Sequence, residues 1–255
     1  TFRYIFLEQV QGFFPFYLFF LNFFGAFVFS KPSLSIFSLF FQQTLFTPGE
    51  LSGTYLKKLD RYQRLFEIIA LRSHESCLLL CSREKPKEID QWEGGTSPIR
   101  TLELKGSKEV AIALFQEKQL NDETHWSTAI DYWQGHPLQL QEISILIRDV
   151  FGGDISQFSE YATHFVGNNL KEKIEQHLER LSGFERDVIL AFDGENDSLP
   201  IGKLMTKSGL IPAEFFNVVQ SLQRRFCLET QQKERIKHFS LPSLLQNHLK
   251  VNSLE

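Results

Sequence analysis

Methionine is almost missing from this 255-residue chain, with Met205 the one example. Cysteine is sparse too: Cys77, Cys81 and Cys227 form no paired pattern, which excludes a secreted disulfide scaffold and fits a reducing compartment. There is no CxxC pair and no His/Cys group at zinc spacing, so a structural zinc module is excluded. Surplus positive charge is also lacking. The 27 Lys and Arg face 31 Asp and Glu, a formal net charge of −4, which argues against a chain whose main task is coating nucleic acid. Enzyme signatures are missing as well, with no nucleophile elbow, no HExxH and no carboxylate pair at an informative spacing. Asp193, Glu195 and Asp197 lack the EF-hand arrangement and read as a solvated turn. What is present, 42% apolar and 23% charged residues, is ordinary globular usage.

Charge is scarce in one region above all. Residues 1–46 hold only Arg3, Glu8 and Lys31, and 15 of the 26 phenylalanines lie between Phe2 and Phe46. Phe13 to Ser30 has no charge at all, a length near the lower limit for crossing a hydrocarbon core. Pro15, Asn22 and Gly25 interrupt it, and Arg3 and Lys31 flank it without setting an orientation. Three readings stand side by side. Residues 13–30 anchor the chain in a membrane; or the head is a buried element, against which the aperiodic Phe positions argue; or it is out-of-frame sequence. Phe-rich, charge-poor residues without an initiating methionine are what a shifted frame through T-rich DNA would give, and composition favours this reading.

From Thr47 the pattern becomes ordinary. Leu59, Tyr62, Leu65, Phe66 and Ile69 predict an amphipathic helix within Tyr55 to Leu71. Ser76 to Ser82 reads SCLLLCS, a buried strand of parallel type, and Ile99 to Leu104 alternates like a second one. Ser107 caps a helix through Lys118, and Asn121 or Asp122 opens another that reaches Gln134. Leu138 to Phe151 follows the Gly135-His136-Pro137 break, and Asp154 and Asn168 read as caps for helices to about His164 and Leu181. Trp126 and Trp133, seven apart, read as core. After Ser182 come a helix in GFERDVILAF, a short one from Leu199-Pro200, a longer one from Pro212, two short strands in FCLETQQKERIKHFSL and a last helix from Pro242. That order is the plan of a winged helix.

Thr47 to Leu254 resembles the C-terminal part of an NB-ARC nucleotide-binding module, of the STAND class of signalling ATPases, and is most similar to bacterial versions, which often precede repeat arrays. LLLCSREKP (Leu78–Pro86) is similar to the family's strand-plus-arginine sensor. GHPLQLQ (Gly135–Gln141) resembles its GLPL motif, with His136 in place of the usual apolar residue. The last seventy or so residues resemble its winged-helix subdomain. The resemblance implies that Arg83 faces the terminal phosphate of ADP or ATP, with Ser82 donating beside it, and that Gly135 and Pro137 pack at the adenine. On residue pattern alone, Arg83 also reads as a solvated charge in REKPKE, and Gly135-His136-Pro137 as a plain interhelical turn.

The departures set the functional expectation. A phosphate-cradling loop requires G-x-x-x-x-G-K-[ST], and the sole Gly-Lys, Gly202-Lys203, runs on into Leu204. No Asp precedes Asp60, so the family's Mg²⁺ carboxylate is missing, and Leu241-Pro242-Ser243 stands where the family has Met-His-Asp. Phosphoryl transfer depends on those parts for positioning and charge neutralisation. The expectation is therefore a non-enzymatic, truncated signalling module without a firm cofactor, although the intact family takes ADP or ATP. Its partners are other proteins or its own missing domains; its compartment is the cytoplasm, or a membrane through residues 13–30. Its fold is α+β and mostly helical: a head (1–46), a remnant of a parallel P-loop sheet (47–106), a helical bundle (107–182) and a winged helix (183–255). The alternatives are a DNA-binding winged helix and a membrane-anchored interaction protein. Residues 183–255 carry nine cations and nine anions, and Pro212-Ala213-Glu214-Phe215-Phe216 opens the candidate recognition helix, leaving Arg224, Arg225 and the wing lysines for phosphates.

Overall fold

The computed structural model describes residues 3–7, 27–31, 34–41, 45–73, 76–103, 105–159, 161, 167–195, 197–233 and 235–252. Most of the Phe13–Ser30 stretch lies outside them. Among the described residues no helix is long and apolar enough to cross a membrane. The chain forms two units: Thr1–Leu104 with Arg224–Phe226, and Lys105–Gln223 with Cys227–Glu255.

The first unit contains β1 (Arg3–Leu7), β2 (Phe27–Lys31), β3 (Leu34–Phe41), α1 (Arg61–Leu71), β4 (Ser76–Ser82), α2 (Ile89–Trp92) and β5 (Ile99–Glu103). Its strands run β2-β3-β4-β1-β5. Only β3 and β4 are parallel, while β1 pairs antiparallel with both β4 and β5. The two expected strands are thus part of a mixed sheet, and β5 bonds to β1 rather than to β4. Leu78 and Leu80 of β4 enter a core with Leu45, Phe46, Phe66, Ala70, Ile89 and Ile99. The helix expected from Tyr55 begins only at Arg61 because Tyr55 is held elsewhere. It forms a bridge with Phe46, their rings 5.0 Å apart, and Leu56 N–H donates to the Leu45 carbonyl at 2.9 Å.

The second unit begins with a bundle: α3 (Lys108–Glu117), α4 (Glu123–Tyr132), α5 (Pro137–Val150), α6 (Ile155–Ser159) and α7 (Asn168–Glu179). Ser107 caps α3 by accepting from Val110 N–H, as its sequence position predicts. Trp126 and Trp133 are buried with Phe115, Ile130, Leu140, Ile143, Ile147 and Phe158. Asp154 accepts from Ser156 N–H at the start of α6; the expected extension to His164 falls mostly outside the described residues. Asn168 is the first residue of α7 and not its cap. Glu142, reaching from α5, accepts from Asn169 and Leu170 N–H at 3.1 and 3.4 Å, where a carboxylate meets the positive end of the helix dipole. Gly167 permits that approach, because a Cβ there would strike the Glu142 carboxylate.

The unit ends with α8 (Gly183–Leu190), β6 (Leu199–Pro200), α9 (Ile201–Ser208), α10 (Pro212–Arg224), β7 (Glu229–Lys233), β8 (Ile236–Ser240) and α11 (Ser243–Asn252). The three strands form an antiparallel sheet in the order β6-β8-β7. Three helices are followed by a β-ribbon that folds back on a short leading strand, the order of elements expected from the sequence. The fold is α+β and mostly helical.

Candidate functional site

β4 delivers Ser82 and Arg83 to its C-terminal edge in the first unit. Ser82 is buried, and its hydroxyl donates to the Glu84 carbonyl at 2.8 Å while accepting from Glu84 N–H at 3.2 Å. Its one proton is therefore already committed within the loop. Arg83 is half-buried, and burial pulls its pKa below the usual guanidinium value.

The residues just beyond them depart from a solvated charge run. Glu84 is 1% exposed and Glu88 is 5% exposed. The Glu84 carboxylate accepts from Gly53 N–H at 3.0 Å and lies 3.1 Å from Arg225 Nη1, as an ion pair rather than an aligned hydrogen bond. Arg225 also donates through Nη2 to the Glu50 carbonyl at 2.7 Å. Tyr55 donates to Glu88 at 3.2 Å, and burial together with that carboxylate holds the phenol protonated, well above its ordinary pKa. An outer ring continues the pattern: Lys85 contacts Asp90 and Glu93 at 2.7 and 2.8 Å, and Arg224 lies 3.6 Å from Asp90. Sequence reasoning missed Glu84 and Arg225 as a pair. The only signal was a charged run directly after a buried strand, which gives no partner.

Gly135 and Pro137 belong to the second unit. Gln134 and Gly135 have φ of 52° and 64°, two left-handed residues in succession, and Gly135 N–H donates to the Ile130 carbonyl at 2.9 Å. The turn rests against Gly106, where a Cβ would collide with the Gln134 and Gly135 backbone. Pro137 is the first residue of α5, where its lost N–H costs nothing. His136 has a role the sequence did not reveal: its Nδ1 accepts from Gln139 N–H at 3.3 Å as the cap of α5. Burial pushes its pKa down to about 4, which keeps the ring neutral and able to accept.

Ser82 has no spare donor, and the sequence supplies neither a phosphate loop nor a Mg²⁺ carboxylate. Among the described residues no group of three or more His, Cys, Asp or Glu is placed to hold a metal. The hollow along α1, lined by Asp60, Arg64, Glu67, Ile68 and Leu71 among others, includes neither Ser82 nor Arg83.

The face expected to read DNA is poorly built for it. Along α10 the exposed residues are Pro212, Ala213, Glu214, Phe216, Asn217 and Gln220. Arg225, expected as a phosphate contact, is instead buried on Glu84, and Arg224 faces Asp90. Lys203 and Lys207 are taken by Glu195 at 2.8 and 3.1 Å.

No protein-family model matches the chain. Over 214 residues it is 29% identical to an uncharacterized WD repeat-containing protein of Nostoc sp. strain PCC 7120. The alignment covers 81% of this chain and 17% of that relative. The chain is thus similar to about one sixth of a much longer bacterial protein.

Proposed function

We propose that the chain is a regulatory module of a signalling protein, comprising the sensor, helical and winged-helix parts of an NB-ARC-like switch, and that it acts through protein contacts without hydrolysing ATP itself. The observation that carries this reading is the winged helix α8–β8 placed directly after the α3–α7 bundle, in the order the resemblance requires. In support, α5 opens on Gly135-His136-Pro137 and β4 ends at Ser82-Arg83. The similarity to a stretch of a far longer protein described as WD repeat-containing agrees with a module that reports to neighbouring domains. By resemblance, Ser82 and Arg83 correspond to the family's phosphate-contacting residues, and Gly135 and Pro137 to its adenine-contacting ones. The committed Ser82 hydroxyl and the missing phosphate loop leave any residual nucleotide affinity weak. The outer face of α10, whose one exposed charge is the carboxylate of Glu214, favours a protein surface over a phosphate backbone as its partner.

Isothermal titration with ADP, paired with a gel shift on duplex DNA at low salt, tests the reading. It predicts neither micromolar ADP binding nor a salt-dependent shift. Micromolar ADP affinity would restore a working nucleotide site, and a salt-sensitive shift would favour the DNA-binding alternative.

A further inference from the structure

The first unit includes Arg224–Phe226, although 119 residues, Lys105–Gln223, lie between that turn and Leu104. Several contacts fasten it. Lys85 N–H donates to the Arg224 carbonyl at 3.0 Å, and Arg225 Nη2 donates to the Glu50 carbonyl at 2.7 Å. The Arg225 side chain is 0% exposed against Glu84 at 1%. An apolar pair of similar volume would fasten the turn without desolvating two charges. An ion pair makes the fastening conditional instead, because each buried charge is tolerated only while the other is in place. Phe226, the next residue, has φ of 59°, a left-handed conformation rare for a bulky side chain, and such strain persists only where the surroundings enforce it. The docked turn therefore combines a strong, all-or-none contact with a strained backbone. These are the ingredients of two discrete states.

We propose that Glu84 and Arg225 form a releasable latch, holding the Arg224–Phe226 turn against the loop after β4 in equilibrium with an undocked turn whose charges are in water and whose Phe226 is relaxed. The latch bears on the end of β4 directly. The backbone N–H and carbonyl of Glu84 are the two partners of the Ser82 hydroxyl, so moving Glu84 frees the one donor that the docked loop consumes. No part of this rests on nucleotide binding.

Hydrogen exchange on the full chain tests the latch. In the unmodified protein the Lys85 amide should exchange at least about tenfold faster than the amides of α1 around Phe66, because the turn opens without unfolding the first unit. Glu84→Gln and Arg225→Met should each raise Lys85 exchange on the order of 100-fold while leaving the α1 amides within about threefold. The double variant should fall well short of the product of the two effects. Arg225→Lys, which keeps the charge and is the mildest change, should give an intermediate rise of about tenfold. Lys85 and α1 amides that move together in the unmodified protein would overturn the proposal, since the pair would then open only with the fold. Unchanged Lys85 exchange in the variants would overturn it as well.

Discussion

Two glutamates, one in each unit, are buried to nearly the same degree, one on hydrogen bonds from serines and the other against a guanidinium. Glu185, 0% exposed in the second unit, is surrounded by neutral donors: Ser182 N–H at 2.8 Å, the Ser182 hydroxyl at 3.0 Å and the Ser221 hydroxyl at 2.7 Å. Glu84, 1% exposed in the first unit, receives one backbone N–H and faces a buried guanidinium. The first arrangement is a capping box reinforced by one tertiary hydroxyl, and most of it forms as soon as α8 forms. The second exists only when Arg225 is in place. A buried charge held by its own helix is a fixed part of the fold, whereas one held by a distant cation is conditional on a tertiary event.

Breaking the conditional site should have the largest effect. Arg225→Met leaves Glu84 buried without its cation and should destabilise the docked turn by about 3 kcal/mol while the α1 core of the first unit holds. Replacing both members with apolar side chains should recover most of that loss. Exchange of the Lys85 amide, which donates to the Arg224 carbonyl, reads the docked turn, and a rise no smaller in the double variant would show that the pair does not act as a pair.

His136 extends the comparison to a buried base. Its folded pKa near 4 lies below the unfolded value of about 6.5, so the unfolded chain holds more protons between those values. Stability should therefore fall as pH drops from about 6.5 to 4, by about 2 kcal/mol after allowance for partial solvent exposure, and then level off. His136→Asn keeps a capping acceptor without the titration and should flatten that part of the pH profile. An unchanged slope would remove the role assigned to the ring.

The locally held carboxylate should be the more tolerant one. Ser221→Ala removes one of several donors to Glu185 and should cost about 1.5–2 kcal/mol. Ser182→Ala should cost about 1 kcal/mol, in the range of other N-cap losses. Fluorescence melts of the second unit through Trp126 and Trp133 measure both, and a cost above that of Arg225→Met would reverse the ranking of the two sites.

This contrast also explains what could be read from the sequence. Ser182 with Glu185 three residues on, Ser107 before an apolar period, and Pro137 after a glycine are local signals, and the structure places caps and helix starts at each. The helices and strands after Ser182 were legible for the same reason, since short elements bounded by Pro200, Gly209, Pro212 and Pro242 leave few alternatives. What escaped depends on distance. Glu84 in REKPKE resembles a solvated charge until Arg225 meets it. Asn168 resembles a cap until Glu142 arrives from another helix. Tyr55 fits a helical period until Phe46 and Glu88 claim its ring and hydroxyl. Ser82 and Arg83 were singled out by motif, and the commitment of Ser82 to the Glu84 backbone follows from loop geometry that no spacing encodes.

We propose that this chain carries the sensing and winged-helix parts of a nucleotide switch and does not turn nucleotide over by itself. Phosphate release from ATP by the purified chain, in excess Mg²⁺ and with no other protein added, tests it most directly. The account predicts a rate indistinguishable from buffer. Sustained turnover proportional to protein concentration, abolished by Arg83→Ala, would contradict it.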